Sequence, residues 1–459
     1  MANIHAGEVE GKEAAQHLIR DLATGALDGV LDRVIVLVAP IYNADGNDKI
    51  DINNRSEQNG PAGGVGTREN AQRLDLNRDF MKLESPEARG LITNVFNRWD
   101  PHVIIDLHTT NGSYHAYALT FSPALNPNTD SRIIAFTRGR LLPDISKNLL
   151  EKYRYRTYFY GNFSDGGGRE QNPDQKAQPK AWITFDHRPR FGNNYVGLRN
   201  RIAILSEAYS YLDFRSRVDV TDKFVRTILL YVASHSADVV KLIRDADRAA
   251  ATTMLTGGNE HGFGIAFDKK PSEHPVEILM SSVTRTTDPR NNRVRLAATG
   301  EAHAVKLTEI GEFRATRTIA PPAAYLLTPD QRKAVDLLLR HGIAVEELKQ
   351  ELTLDVDRYV VTGMTQSARA FQGHRETKLT VNPSRTQVTF PSGSFLISMH
   401  QPKAALIFYL LEPESDDGLA DWNFFDESLA AQAESSRVYP VYRAVQEPRC
   451  TRVMLRLPE

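Results

Sequence analysis

The sequence predicts an α/β fold, with a mixed, mostly parallel sheet flanked by helices, followed by a β-rich α+β region. Three observations lead there. Short apolar runs rich in β-branched residues (Val34–Ala39, His102–Leu107, Arg201–Ser206) read as strands buried on both faces. Longer helix-forming stretches alternate with them, as when helices connect parallel strands. Past residue 250 the pattern changes to closely spaced, short strand-like runs.

The elements follow in order. Glu8–Thr24 is rich in Ala, Leu, Glu and Lys and reads as a helix. Val34–Ala39 is the first strand, and Asn43–Gly66 is a long polar loop rich in Gly and Asn. Ser85-Pro86-Glu87 places a capping hydroxyl before a proline at the first helical position, and this helix runs to about Trp99. His102–Leu107 is a strand, Ile133–Tyr153 a helix, Arg201–Ser206 a strand and Thr221–Arg248 helical. Thr, Gly and Asn cluster at 249–260, which divides the chain into regions 1–250 and 251–459. In the second region Val276–Arg285, Asn292–Ala298, Lys378–Phe390 and Ala404–Leu411 read as strands. Pro321 and Pro322 mark a turn before its one helix, from about Thr328 to Leu352.

Composition narrows the function. The 459 residues carry 56 Lys plus Arg against 57 Asp plus Glu, a net charge of −1. That balance argues against a polyanion-binding surface, so no nucleic-acid partner is expected. With 41% hydrophobic and 25% charged residues, the composition is that of a soluble globular protein. Cys450 is the only cysteine, which excludes an intrachain disulfide framework and a cysteine metal cluster. No apolar run approaches the roughly 20 residues of a membrane span.

Four pieces of the first half could carry chemistry: His5-Ala6-Gly7-Glu8, Arg68 with Leu74-Asp75-Leu76-Asn77-Arg78, Ile104 to His108, and Ile204 to Glu207. Two imidazoles and one carboxylate suit zinc and leave a coordination position open, as catalytic sites require. His5 and Glu8 are three residues apart, so one turn can aim both at a point. His108 closes an apolar strand, and α/β sheets bind ligands at that edge. Each piece alone is ordinary. An HxxE pair arises by chance, Arg78 could serve an ion pair, Asp75 a turn cap and Glu207 a strand end. The force lies in finding them in this order, each at a strand end. His17, His102, His115, His187, His235, His261 and His274 share no usable spacing and read as structural, with His115 and His187 as candidates to line the cleft.

HAGE before a helix, then LDLNRDF, IIDLHTTNG and ILSEAYSY resembles the zinc carboxypeptidase family, over roughly residues 3–215. The resemblance implies the carboxypeptidase-like α/β fold, one zinc ion, and peptide or protein C-termini as substrate. It makes His5, Glu8 and His108 the metal ligands. Asp75 matches the carboxylate that orients the first imidazole. Asn77 and Arg78 match the pair that grips the substrate's terminal carboxylate, a task suited to a planar guanidinium. Arg68 matches the arginine that stabilises the oxyanion, Glu207 the general base, and Tyr195 the tyrosine that covers bound substrate. The YLLEPESD stretch from Tyr409 to Asp416 is similar to extensions in large bacterial members.

Two other functions fit the same motifs. One is a zinc amidase or deacylase of N-acyl amino acids. The other is an inactive, truncated copy serving as a binding module. The sequence departs from the family at its start, where only Met1–Ile4 precede His5 and family members carry several dozen residues with a core strand. A chain lacking that segment is expected to expose a sheet edge and to leave His5 and Glu8 on a frayed, poorly preorganised terminus. The compartment follows the same question: periplasmic or secreted if an export signal lies upstream, otherwise cytoplasmic. Oligomeric state is left open.

Overall fold

The computed structural model describes residues 1–55, 58–164, 179–255, 262–288 and 292–457. His261 and part of the 249–260 cluster lie outside them. The fold is mixed α/β with a β-rich C-terminal region, as the sequence indicates.

The sheet that carries the site has four strands, in the order Val103–Thr110, Ile202–Tyr209, Leu119–Ser122, Thr157–Phe159. The first pair is parallel, the second antiparallel and the third parallel. Helices Glu10–Ala23, Leu142–Tyr153 and Phe214–Ser234 pack around it. The helix that begins at Ser85 runs to Trp99 with a wider π-helical turn at Leu91–Phe96. The long helical stretch after residue 213 is two helices, Phe214–Ser234 and Ser236–Leu255, broken at His235.

Three expectations are corrected. Val34–Ala39 forms no strand: Ile35 and Leu37 are 79% and 42% exposed. Its β-branched pattern is suited to a ladder, but only its end meets one, where Ala39 accepts from the Ala2 N–H at 2.9 Å. Ala404–Leu411 is a helix with all eight residues buried. An apolar run of that length fits either conformation when every side is covered. The helix placed at 328–352 shrinks to Arg332–Arg340. Gly342, with φ +70°, ends it by letting the Ile343 N–H turn back to the Leu338 carbonyl.

The terminus is not frayed. Ala2 bridges to Leu107 in parallel, the Leu107 N–H donates to the Met1 carbonyl at 3.0 Å, and the Met1 amine donates to the Ile105 carbonyl at 2.8 Å. Met1 and Ala2 thus lie as a short extension of the sheet. His5 and Glu8 are 4% and 3% exposed, held rather than loose.

The second region contributes a seven-stranded antiparallel sheet, from Thr377–Phe390 at one edge to Arg452–Met454 at the other. A smaller sheet joins Ala181–Ile183 to His303–Ile310, so strands from both sides of residue 250 share one ladder. The largest apolar cluster does the same: it contains Ile4, Leu76, Phe80 and Tyr195 together with Tyr325, Leu338, Leu406 and Trp422. Among the described residues no helix is long and apolar enough to cross a membrane.

Candidate active site

His5 and Glu8 are brought together by a tight turn in which the Glu8 N–H donates to the His5 carbonyl at 2.8 Å. The turn needs Gly7, because a Cβ there would lie 2.1 Å from Arg55 Cδ and 2.9 Å from the Gly66 carbonyl oxygen. His108 comes from the neighbouring strand, and Glu207 is its register partner on the next strand. Parallel pairing therefore sets both on one face of the sheet.

The three ligand candidates converge. Glu8 Oε1 lies 3.0 Å from His5 Nδ1, Glu8 Oε2 lies 3.0 Å from His108 Nδ1, and the two Nδ1 atoms are 3.3 Å apart. Each opposite ring nitrogen faces a carboxylate: His5 Nε2 is 3.0 Å from Asp75 Oδ1 and His108 Nε2 is 2.8 Å from Asp106 Oδ2. In the neutral rings those partners favour the proton on Nε2, which turns both Nδ1 lone pairs toward each other and toward Glu8. Acceptors crowded this way, in a buried site, call for a cation between them. The spacing fits zinc, since bonds near 2.0–2.1 Å in tetrahedral geometry separate ligand atoms by about 3.3 Å.

The charges agree. Burial works to raise the Glu8 carboxyl, yet His5 and Arg55 hold it well below the usual range. Burial works to lower His108, yet Asp106 and Glu8 drive it well above. Burial pushes the Glu207 carboxyl up to about 8, with Glu8 adding to the rise and His108 opposing it.

One turn links these ligands to the rest. Asp75 caps the short helical turn Leu76–Arg78, with Oδ1 accepting from the Asn77 N–H at 2.9 Å. Its Oδ2 accepts from Arg68 Nε at 3.0 Å. Burial opposes ionisation there, but His5, Arg78 and Arg68 together hold the Asp75 carboxyl far below its ordinary value. Asn77 Oδ1 accepts from the Gly192 N–H at 2.9 Å. The Arg78 guanidinium donates to the Asn77 carbonyl at 2.7 Å and lies 3.9 Å from the Phe191 ring centre. Thus His5, Glu8, His108, Asp75, Arg68, Asn77, Arg78 and Glu207 gather in one region.

Tyr195 does not join them. Its ring is fully buried, and its hydroxyl is 2.9 Å from His341 Nδ1 and accepts from Arg199 at 3.2 Å. It is a core residue, and its loop-like sequence concealed a buried helix, Gly192–Leu198. His115 and His187 are buried as well, His187 between the rings of Phe267 and Phe313.

Sequence reasoning missed two contributors. Asp106 is two residues before His108, and residues so spaced on a strand share a face. Arg55 approaches Glu8 Oε1 at 2.9 Å from the long polar loop, and no local pattern marks it.

A family model described as zinc carboxypeptidase matches residues 1–117 of this chain, which include all of these residues except Glu207. Carboxypeptidase 2 of Trichophyton tonsurans is 24% identical over 460 residues, spanning 96% of this chain and 75% of that protein. Carboxypeptidase 2 of Trichophyton rubrum is 24% identical over 462 residues, with the same shares. A crystal structure of a candidate metallopeptidase from Shewanella amazonensis is 16% identical at a TM-score of 0.33, over 50% of this chain and 74% of that one. The family model and the two carboxypeptidase relatives support the resemblance read from the motifs.

Proposed function

We propose that this chain, matched over residues 1–117 by the zinc carboxypeptidase model and similar along nearly its whole length to proteins named carboxypeptidase 2, hydrolyses the C-terminal peptide bond of peptides, with one zinc ion at His5, Glu8 and His108. The observation that carries the proposal is the Asp75–Arg78 turn. Asp75 orients the ligand His5, and the next residues bring Asn77 and Arg78 beside it. A clamp for a terminal carboxylate is thereby tied to the metal site at a fixed distance, which favours a substrate with a free C-terminus.

Zinc held by the three ligands would polarise the scissile carbonyl and lower the pKa of a water. The chain's own groups do the rest. Arg78 and the Asn77 amide anchor the terminal carboxylate. Asp75 and Asp106 fix the tautomers of His5 and His108. The Arg68 guanidinium stabilises negative charge developing on the carbonyl oxygen. Glu207 takes the proton from the attacking water and passes it to the leaving amine nitrogen.

The test compares peptides bearing free and amidated C-termini with N-acyl amino acids, on protein of measured zinc content. Cleavage lost on amidation is expected. Preference for N-acyl amino acids would replace the proposal with an amidase. A folded chain that binds no zinc would replace it with a binding module.

A further inference from the structure

The C-terminal region reaches the clamp turn through one β-hairpin. Strands Leu352–Gln366 and Thr377–Phe390 pair antiparallel, and beyond them Phe371 and His374 exchange both backbone hydrogen bonds at 2.7 and 3.0 Å. At the apex Gln372 and Gly373 have φ of +51° and +84°. Two left-handed residues in succession are the signature of a tight hairpin turn that favours Asn, Asp or Gly at the first position. A glutamine there is unusual, since its side chain opposes that backbone conformation.

The side chain accounts for it. Gln372 Oε1 accepts the N–H of Asp75 at 2.8 Å. The tip is fastened on both flanks. His374 is 2.8 Å from Glu84 Oε1 and 2.9 Å from Asn423 Oδ1. On the other side Phe371 lies 5.3 Å from the Arg190 guanidinium, which pairs with Glu376 at 2.6 Å. Arg190 adjoins Phe191, whose ring carries Arg78. The hairpin thus braces the clamp turn directly through Gln372 and indirectly through Arg190. A turn of three residues has few bonds of its own, so each external bond weighs heavily on where Asn77 and Arg78 sit.

We propose that Gln372 is a positioning residue for the substrate clamp, which makes the C-terminal hairpin a working part of the cleft. This rests on the carboxypeptidase reading above. The experiment uses the full chain with zinc and the variant Gln372→Gly. Glycine relieves the left-handed strain while it removes the acceptor, so the two effects oppose each other and Tm is expected to change little. KM for a free C-terminal peptide is expected to rise about fivefold, the order of one hydrogen bond, with kcat within about twofold. Amide hydrogen exchange at residues 76–78, beyond the deleted bond itself, is expected to accelerate. A purely structural role would leave KM and exchange unmoved. An unchanged KM in an active enzyme overturns the proposal, as does unchanged exchange. Should the wild type cleave no peptide, the functional reading fails by itself, and exchange still decides the brace.

Discussion

Replacing Asp106 with Asn examines the convergence of lone pairs on which the metal site depends. The Asp106 carboxylate lies 2.8 Å from His108 Nε2, both groups are buried, and the bond fixes which ring nitrogen carries the proton. An asparagine of the same shape removes the negative charge and can turn its NH2 toward the ring. That favours a proton on Nδ1, the ligand atom. Changes to such orienting partners cost about 10- to 100-fold in metal affinity, which converts to about 1.4–2.8 kcal/mol. A buried hydrogen bond to a charged group is worth about 1.5–3 kcal/mol, so two routes give one range. The assay is zinc affinity by competition with a chromophoric chelator, with Asp416→Asn as a control away from the ligands. Affinity of Asp106→Asn within about twofold of wild type would refute the tautomer argument.

Other outcomes follow from the same geometry. Glu207→Gln should retain zinc but lose at least about 100-fold in kcat, the scale of general acid–base catalysis; near-normal turnover would reassign the base. Arg78→Met should lower kcat/KM for free C-termini by about 10- to 100-fold, since a charge-assisted bond is lost, and leave any slow cleavage of amidated peptides unchanged. Tyr195→Phe should leave kcat/KM alone but cost about 1–3 kcal/mol in urea unfolding, because His341 loses its buried partner. Burial first, then neighbouring carboxylates, pushes Asp417 up to about 7 and Asp421 up to about 8. Between the ordinary aspartate range and those values the folded protein holds more protons than the unfolded chain. This contribution is therefore complete only below the ordinary aspartate range, falls steadily as pH rises from there, and is gone once pH passes 7 to 8. Tm should fall from pH 6 to pH 9 in the wild type and more shallowly in Asp421→Asn.

Much of the site was legible because its chemistry is local in sequence. HAGE, LDLNRDF and the strand ends each declare their residue types, and the pairing of His108 with Glu207 follows from two strands lying in parallel register. Asp106 was visible in principle, through the alternation of side chains along its strand. Arg55 and Gln372 were not, because each acts across a long stretch of chain, on Glu8 and Asp75 respectively. Tyr195 misled because its Asn-rich surroundings resemble a surface loop, although Asn194 spends its side chain on backbone groups inside the fold. Ala404–Leu411 misled for the opposite reason: uniform burial erases the periodicity that separates helix from strand. The loose terminus foreseen for His5 failed to take account of the backbone bonds that Met1 and Ala2 make with the sheet.

The shared apolar cluster has a practical corollary. Ile4 and Leu76, which flank the ligand turn and the clamp, are packed in the same mass of side chains as Leu406 and Trp422. Severing the chain near residue 250 would strip that packing from each piece and lay bare greasy faces on both. Fragments made separately should precipitate, whereas the two halves produced together in one cell stand a chance of reassembling into a working whole.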